Sequence, residues 1–335
     1  MINGHGDDIY HHSREITGNF SSNIYNRQDF TGLHRHLCAC VPAAIHSYPE
    51  PDAHSLVELL AEKNGIQPSG VLVTNGAVEA IYLIAQTFRG KKSCIITPTF
   101  SEYEDACRIN GHRLSFAPSL YEIDKDTELV WLCNPNNPDG YAYHKQLLDS
   151  FIAGRPDISF VIDQSYEAFA DSQYTFTAAE GLNHRNAILL HSMTKSYAIP
   201  GLRLGYITAC DEHIRAIATY RMPWSVNQLA IEAGKYLLGT ERSFDLPAYL
   251  AETNRLATAL NAIDGLAALP TNTHFFLCKL ENRSASELKE FLISSHGILI
   301  RDAANFRGLD ERYFRIATQS PEENDVLIIA IREWI

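Results

Sequence analysis

No stretch of this chain is apolar for long enough to form a membrane-spanning helix. The first ten residues, Met1 to Tyr10, lack the basic start and apolar run of a secretory signal. Basic residues are in the minority: 28 Lys and Arg stand against 40 Asp and Glu, a formal net charge of −12. That balance argues against nucleic acid or an anionic membrane surface as a partner, and leaves room only for a local basic pocket. Disulfide spacing is missing too. The seven cysteines are scattered, an odd number in 335 residues, which reads as reduced thiols in a cytoplasmic protein. There are no tandem repeats and no low-complexity linkers. What remains is ordinary globular composition, 45% apolar and 20% charged, in a chain long enough for about two domains.

One run is rich in metal-binding side chains: His34, His36, Cys38 and Cys40. Its spacing matches neither the C-x2-C nor the H-x3-H pairs of common zinc sites, so no metal is expected.

Short apolar runs alternate with helical patterns from about residue 55 to 240. Strands are expected at Gly70 to Thr74, Ser93 to Thr97, Leu129 to Cys133, Ser159 to Asp163, Ala187 to His191 and Gly205 to Thr208. Their near-continuous Val, Ile and Leu content fits a mainly parallel sheet covered on both faces by helices, an α/β domain. After Trp224 comes a helical region, Val226 to Ala262, that should break near Pro247. Strands at Thr273 to Leu280, Gly297 to Arg301 and Tyr313 to Ile316, with helices at Ser284 to Ser294 and from Pro321, predict a smaller α+β domain. The expected division is an N-terminal arm packing on the small domain (1–45), a large domain (46–245) and a small domain (246–335).

Chemistry concentrates around Ser192-Met193-Thr194-Lys195-Ser196, with Arg203 eight residues beyond Lys195. An aldehyde cofactor that carries a phosphate, such as pyridoxal phosphate, needs four things. These are a lysine to bond the aldehyde, a carboxylate on the ring nitrogen, donors for the phosphate, and a platform for the ring. Lys195 supplies the first. Asp163 ends a very apolar strand, where an unpaired charge would be costly and a protonated ring nitrogen would pair with it. Tyr166, three residues on, can donate to the cofactor's phenolic oxygen, as can Asn137 from the rigid Asn134-Pro135-Asn136-Asn137-Pro138 loop. Gly76 and Ala77 join a strand to a helix, where free N–H groups and the helix dipole favour phosphate. Ser192 and Arg203 complete that cup, and Phe100 can stack on the ring.

Together these residues resemble the fold-type I, aspartate-aminotransferase-like family of pyridoxal-phosphate enzymes, the class I/II aminotransferases. The resemblance runs in order through Tyr48, Gly76, Phe100, Asn137, Asp163, Tyr166, Ser192, Lys195 and Arg203. It implies a pyridoxal-phosphate-dependent transferase fold with a mainly parallel seven-stranded sheet in the large domain. Tyr48-Pro49-Glu50-Pro51 resembles a segment of the branch that holds histidinol-phosphate aminotransferases and threonine-phosphate decarboxylases. By that resemblance Tyr48 reaches the cofactor phosphate of a neighbouring subunit, which implies a homodimer. Arg315 matches the family arginine that grips the substrate carboxylate.

Three segments are similar to the decarboxylases in particular: Ile300-Arg301-Asp302 through Asn305-Phe306 to Gly308-Leu309, His5-Gly6-Asp7-Asp8, and Phe20-Ser21-Ser22-Asn23. The implied reaction is decarboxylation of L-threonine O-3-phosphate, a step of cobalamin biosynthesis. Its alternatives are transamination of histidinol phosphate with 2-oxoglutarate and, more remotely, a cofactor-binding sensor without turnover. A phosphorylated substrate needs a second anion site, for which Arg301, Arg315, Asn23 and His5 are the candidates. The chain departs from the family pattern at Asp139, Gln164, Ser165, His191 and Met193. None of these removes an expected cofactor contact.

Overall fold

Alternate residues of the central strands serve two different cores, which is why those strands read as unbroken apolar runs. In the strand Leu129–Cys133 all five residues are buried. Leu129, Trp131 and Cys133 join one apolar cluster, while Val130 and Leu132 join another on the opposite face. The computed structural model describes residues 6–25, 27–240 and 244–335.

Seven strands form the large sheet, in the order Val71–Thr74, Gly205–Ala209, Ala187–Ser192, Ser159–Asp163, Leu129–Cys133, Lys92–Ile96 and Arg113–Ala117. All neighbours run parallel except Gly205–Ala209, which is antiparallel to both of its neighbours. The Arg113–Ala117 strand escapes the apolar pattern because it is an edge strand, with only Ala117 buried. Helices such as Gly76–Thr87 cover the sheet, burying Ala80, Ile81 and Ile84 against it.

The helical region after Trp224 divides into Gln228–Leu238 and Leu246–Asn261. Pro247 sits in the first turn of the second helix, where its missing N–H costs nothing. A four-stranded antiparallel sheet follows, ordered Arg301–Asp302, Tyr313–Ala317, Phe275–Leu280 and Leu266–Ala268. The single strand expected over Gly297 to Arg301 is split. Ile298–Leu299 pairs with Gly18–Asn19, and Arg301–Asp302 pairs with Tyr313–Ala317.

The Gly18–Asn19 pairing and the Phe20 carbonyl, which accepts from the Ala317 N–H at 2.9 Å, bind the N-terminal segment to the small sheet. The helix Thr31–His46 lies instead against Gln228–Leu238, through an apolar cluster that holds Leu33, Ala230 and Leu237. Among the described residues, no helix is long and apolar enough to cross a membrane.

Candidate active site

The parallel strands of the large sheet all point their C-terminal ends at one place, where open α/β sheets hold ligands. Beyond those ends lie Gly76 and Ala77, Phe100, Asn137, Asp163, and Ser192 with Lys195. Arg203 arrives from the other direction. It precedes the one antiparallel strand, whose start is at that same edge. A cavity of about 250 Å³ opens there, lined by Ala77, Phe100, Asn137, Asp163, Tyr166, Ser192, Lys195 and Arg203. The small sheet contributes Arg301 and Arg315 to its wall, and the N-terminal segment contributes Asn23.

Lys195 sits in the short helix Met193–Ser196. Withdrawal from water, helped by the cations of Arg315 and Arg203, lowers its pKa from the ordinary 10.5 to about 8. Near pH 8 a large share of the amine is therefore neutral and able to attack a carbonyl. Asp163 accepts the Tyr103 hydroxyl at 2.7 Å on one oxygen and the Ser165 N–H at 2.8 Å on the other. These bonds fix the carboxylate and leave lone pairs for a cationic N–H. Burial raises the Tyr166 pKa to about 12, so its hydroxyl keeps its proton. Asn23 donates to that oxygen at 3.3 Å, and the Tyr166 proton is left to donate elsewhere.

The corner around Ala77 and Arg203 is built by close approach. Gly76 has φ +80°, and a Cβ there would lie 2.7 Å from the Arg203 guanidinium. Gly205 leaves no room either, because its Cβ would meet the Ala77 N at 2.8 Å. Arg203 has a left-handed backbone, φ +56°, and its guanidinium donates to the Pro200 carbonyl at 3.1 Å.

Arg315 is buried. It donates to the Asn137 side chain and, at 2.7 Å, to the Ser21 carbonyl, while its Nε–H has no partner. Burial lowers its pKa to about 10, so it stays charged near neutrality. Arg301 donates to Asp302 O at 2.6 Å and to Asn305 Oδ1 at 2.8 Å, and lies over the Phe306 ring.

Two expected residues stand apart. Tyr48 lies outside the cavity, 85% exposed, with its ring 5.4 Å from Trp224. His5 lies outside the described residues.

Other cavity residues carry no strong sequence signal. Tyr103, in the first turn of the helix Glu102–Ile109, packs edge-to-face at 5.9 Å against Phe100, which precedes that helix. Ser21 and Asp7 also face the cavity. Their link, an Asp7 N–H donating to Ser21 Oγ at 3.1 Å, depends on the path of the N-terminal segment.

The donor set suits pyridoxal phosphate: a depressed lysine amine, a fixed carboxylate, a protonated phenol, a guanidinium beside a glycine cradle, and an orphaned buried N–H on Arg315. The chain belongs to the aminotransferase class I and II family, whose profile matches residues 29–331. Its fold is similar to the crystal structure of L-threonine-O-3-phosphate decarboxylase from Porphyromonas gingivalis. The TM-score is 0.92 at 40% identity, over 95% of this chain and 99% of that one. In sequence it is 33% identical to threonine-phosphate decarboxylase of Salmonella typhimurium, over 86% of this chain and 83% of that protein. It is 30% identical to a histidinol-phosphate aminotransferase of Caldanaerobacter subterraneus subsp. tengcongensis, over 86% and 84%.

Proposed function

We propose that this chain is a pyridoxal-phosphate-dependent decarboxylase that converts L-threonine O-3-phosphate to carbon dioxide and (R)-1-aminopropan-2-ol O-phosphate. The observation that carries the reading is the pair of buried arginines, Arg301 and Arg315, on the wall of the cavity that holds Lys195. A small amino acid with two anionic groups has a cation for each. The 40% identity to a decarboxylase of this specificity supports the same choice.

Bound pyridoxal phosphate draws electrons from the bond that breaks at the substrate α-carbon. The chain's own residues do the rest. Lys195 would bond the aldehyde, and Asp163 would hold a proton at the ring nitrogen. Tyr166 and Asn137 would hold the phenolic oxygen, Phe100 would flank the ring, and Gly76, Ala77, Ser192 and Arg203 would hold the phosphate. Arg315 takes the substrate carboxylate, and Arg301, with Asn23 and His5, takes the substrate phosphate. Arg301 and Arg315 would fix the pose of the substrate carboxylate, which decides whether carbon dioxide or a proton leaves, and Lys195 would be placed to return a proton to the α-carbon.

In this reading the chain forms an N-terminal arm, a large cofactor domain and a small domain. Two copies pair in the cytoplasm, with the exposed Tyr48 of each reaching the other's phosphate corner.

The 30% identity to a histidinol-phosphate aminotransferase favours transamination as the second reading. One assay separates them. Carbon dioxide released from threonine phosphate without any keto acid supports the decarboxylase. Amine transfer from histidinol phosphate to 2-oxoglutarate with no carbon dioxide overturns it, and a binding module does neither. The Lys195→Ala variant should lose the visible absorbance of the lysine-bound cofactor.

A further inference from the structure

The run His34, His36, Cys38, Cys40 lies on the helix Thr31–His46, and helical geometry divides it. His34 and Cys38 are exposed. His36 and Cys40, four residues apart, share a half-buried face. That face meets Glu232 of the helix Gln228–Leu238. The His36 Nε2 lies 3.7 Å from the Cys40 Sγ and 3.8 Å from a Glu232 carboxylate oxygen. One donor atom from each residue falls within 4.8 Å of the other two. We propose that His36, Cys40 and Glu232 form a zinc site that joins these two helices.

The separations are close to what a shared ion demands. Tetrahedral zinc bonds of ~2.3 Å to sulfur and ~2.0 Å to nitrogen or oxygen place S and N ~3.6 Å apart, and N and O ~3.3 Å apart. The His36–Cys40 and His36–Glu232 separations lie within about half an ångström of that geometry, and the third pair of donors lies within 4.8 Å. The donors are also oriented from behind, as in established metal sites. Gln228 and Lys235 each donate to the other Glu232 oxygen at 3.0 Å, which turns the remaining oxygen toward His36. The His36 ring stacks on Tyr236 at 5.1 Å.

A thiolate, an imidazole and a carboxylate balance the ion's double charge and leave a fourth position for water. Sulfur and nitrogen donors select zinc over magnesium or calcium, which prefer oxygen alone. None of the three residues lines the cavity of Lys195, so the site acts as a staple between helices and takes no part in turnover.

Titrating the holoenzyme with zinc chloride against a chromophoric chelator should show one equivalent bound per chain. Cys40→Ser and His36→Ala should each weaken binding by at least ~10-fold, whereas Cys38→Ser should leave it unchanged. Zinc should raise the melting temperature of the unaltered protein and not that of Cys40→Ser. On the unaltered protein, cobalt(II) should give the intense visible bands of a four-coordinate, thiolate-bound ion, a readout that no misfolded variant can confuse. Equal affinity in the unaltered protein and Cys40→Ser, loss of binding in Cys38→Ser, or weak six-coordinate cobalt bands would each overturn the proposal.

Discussion

Arg301 and Arg315 stand directly opposite each other on neighbouring antiparallel strands, so both side chains leave the small sheet on the same face. They are fourteen positions apart in the chain, yet the register makes them one double-cation wall of the cavity.

Replacing either arginine by glutamine should remove a charge-assisted contact of about 1.5–3 kcal/mol, a loss of roughly 10- to 150-fold in kcat/KM for threonine phosphate. Steady-state kinetics on threonine phosphate and on plain threonine tell the two apart. The variant that has lost the phosphate contact should handle both substrates about equally. The variant that has lost the carboxylate contact should be impaired on both.

The Lys195 amine has a folded-state pKa of about 8 against the ordinary 10.5. Between those values the unfolded apoenzyme binds a proton that the folded one does not, so this group makes stability rise with pH across that window. Below pH 8 its full penalty is present. In the apoenzyme, Lys195→Met should therefore be more stable at pH 7 by up to ~3 kcal/mol, and the gain should vanish above about pH 10.5. Denaturant midpoints at both ends of the range check this. A gain that persists at high pH would point to packing instead of charge.

Tyr103, almost fully buried at the cavity wall, donates to Asp163. Tyr103→Phe leaves one carboxylate oxygen short of a donor and should cost about 1–3 kcal/mol in urea unfolding. It should also weaken cofactor retention, read as faster loss of visible absorbance on dialysis.

Arg307, just past the small-sheet strand Arg301–Asp302, links that region to the large sheet. It donates to both oxygens of Glu104, at 2.7 and 3.0 Å, and covers the Phe116 ring. Its neighbours Asn305 and Phe306 line the cavity. The pair is partly exposed, so Arg307→Ala should raise KM only ~2- to 5-fold and leave kcat near its original value. The difference should shrink in high salt, which screens the original pair.

The candidate site was legible in the sequence because most of its large-sheet residues follow apolar runs that end at the same sheet edge, Arg203 being the exception. Asp163, Asn137 and Lys195 sit at or just past strand ends, and it is their ordered set, more than any one of them alone, that marks a cofactor site in the sequence. Tyr48 was legible only as a motif, since its ring turns to solvent in a single chain. The Arg113–Ala117 strand was not legible because its exposed side chains break the apolar pattern. The split between Leu299 and Arg301 was hidden because two successive strands share one apolar run while pairing with different partners. The His36–Glu232 contact joins residues almost two hundred positions apart, and helical packing alone brings them together.

The matched register of Arg301 and Arg315 also bears on how such an enzyme diversifies. In the proposed function, bond-making chemistry would reside at the edge of the large sheet, while ligand choice would reside on two adjoining strands of the small one. On that reading, exchanging the strand pair would change which anions the cavity accepts while Lys195 stayed in place.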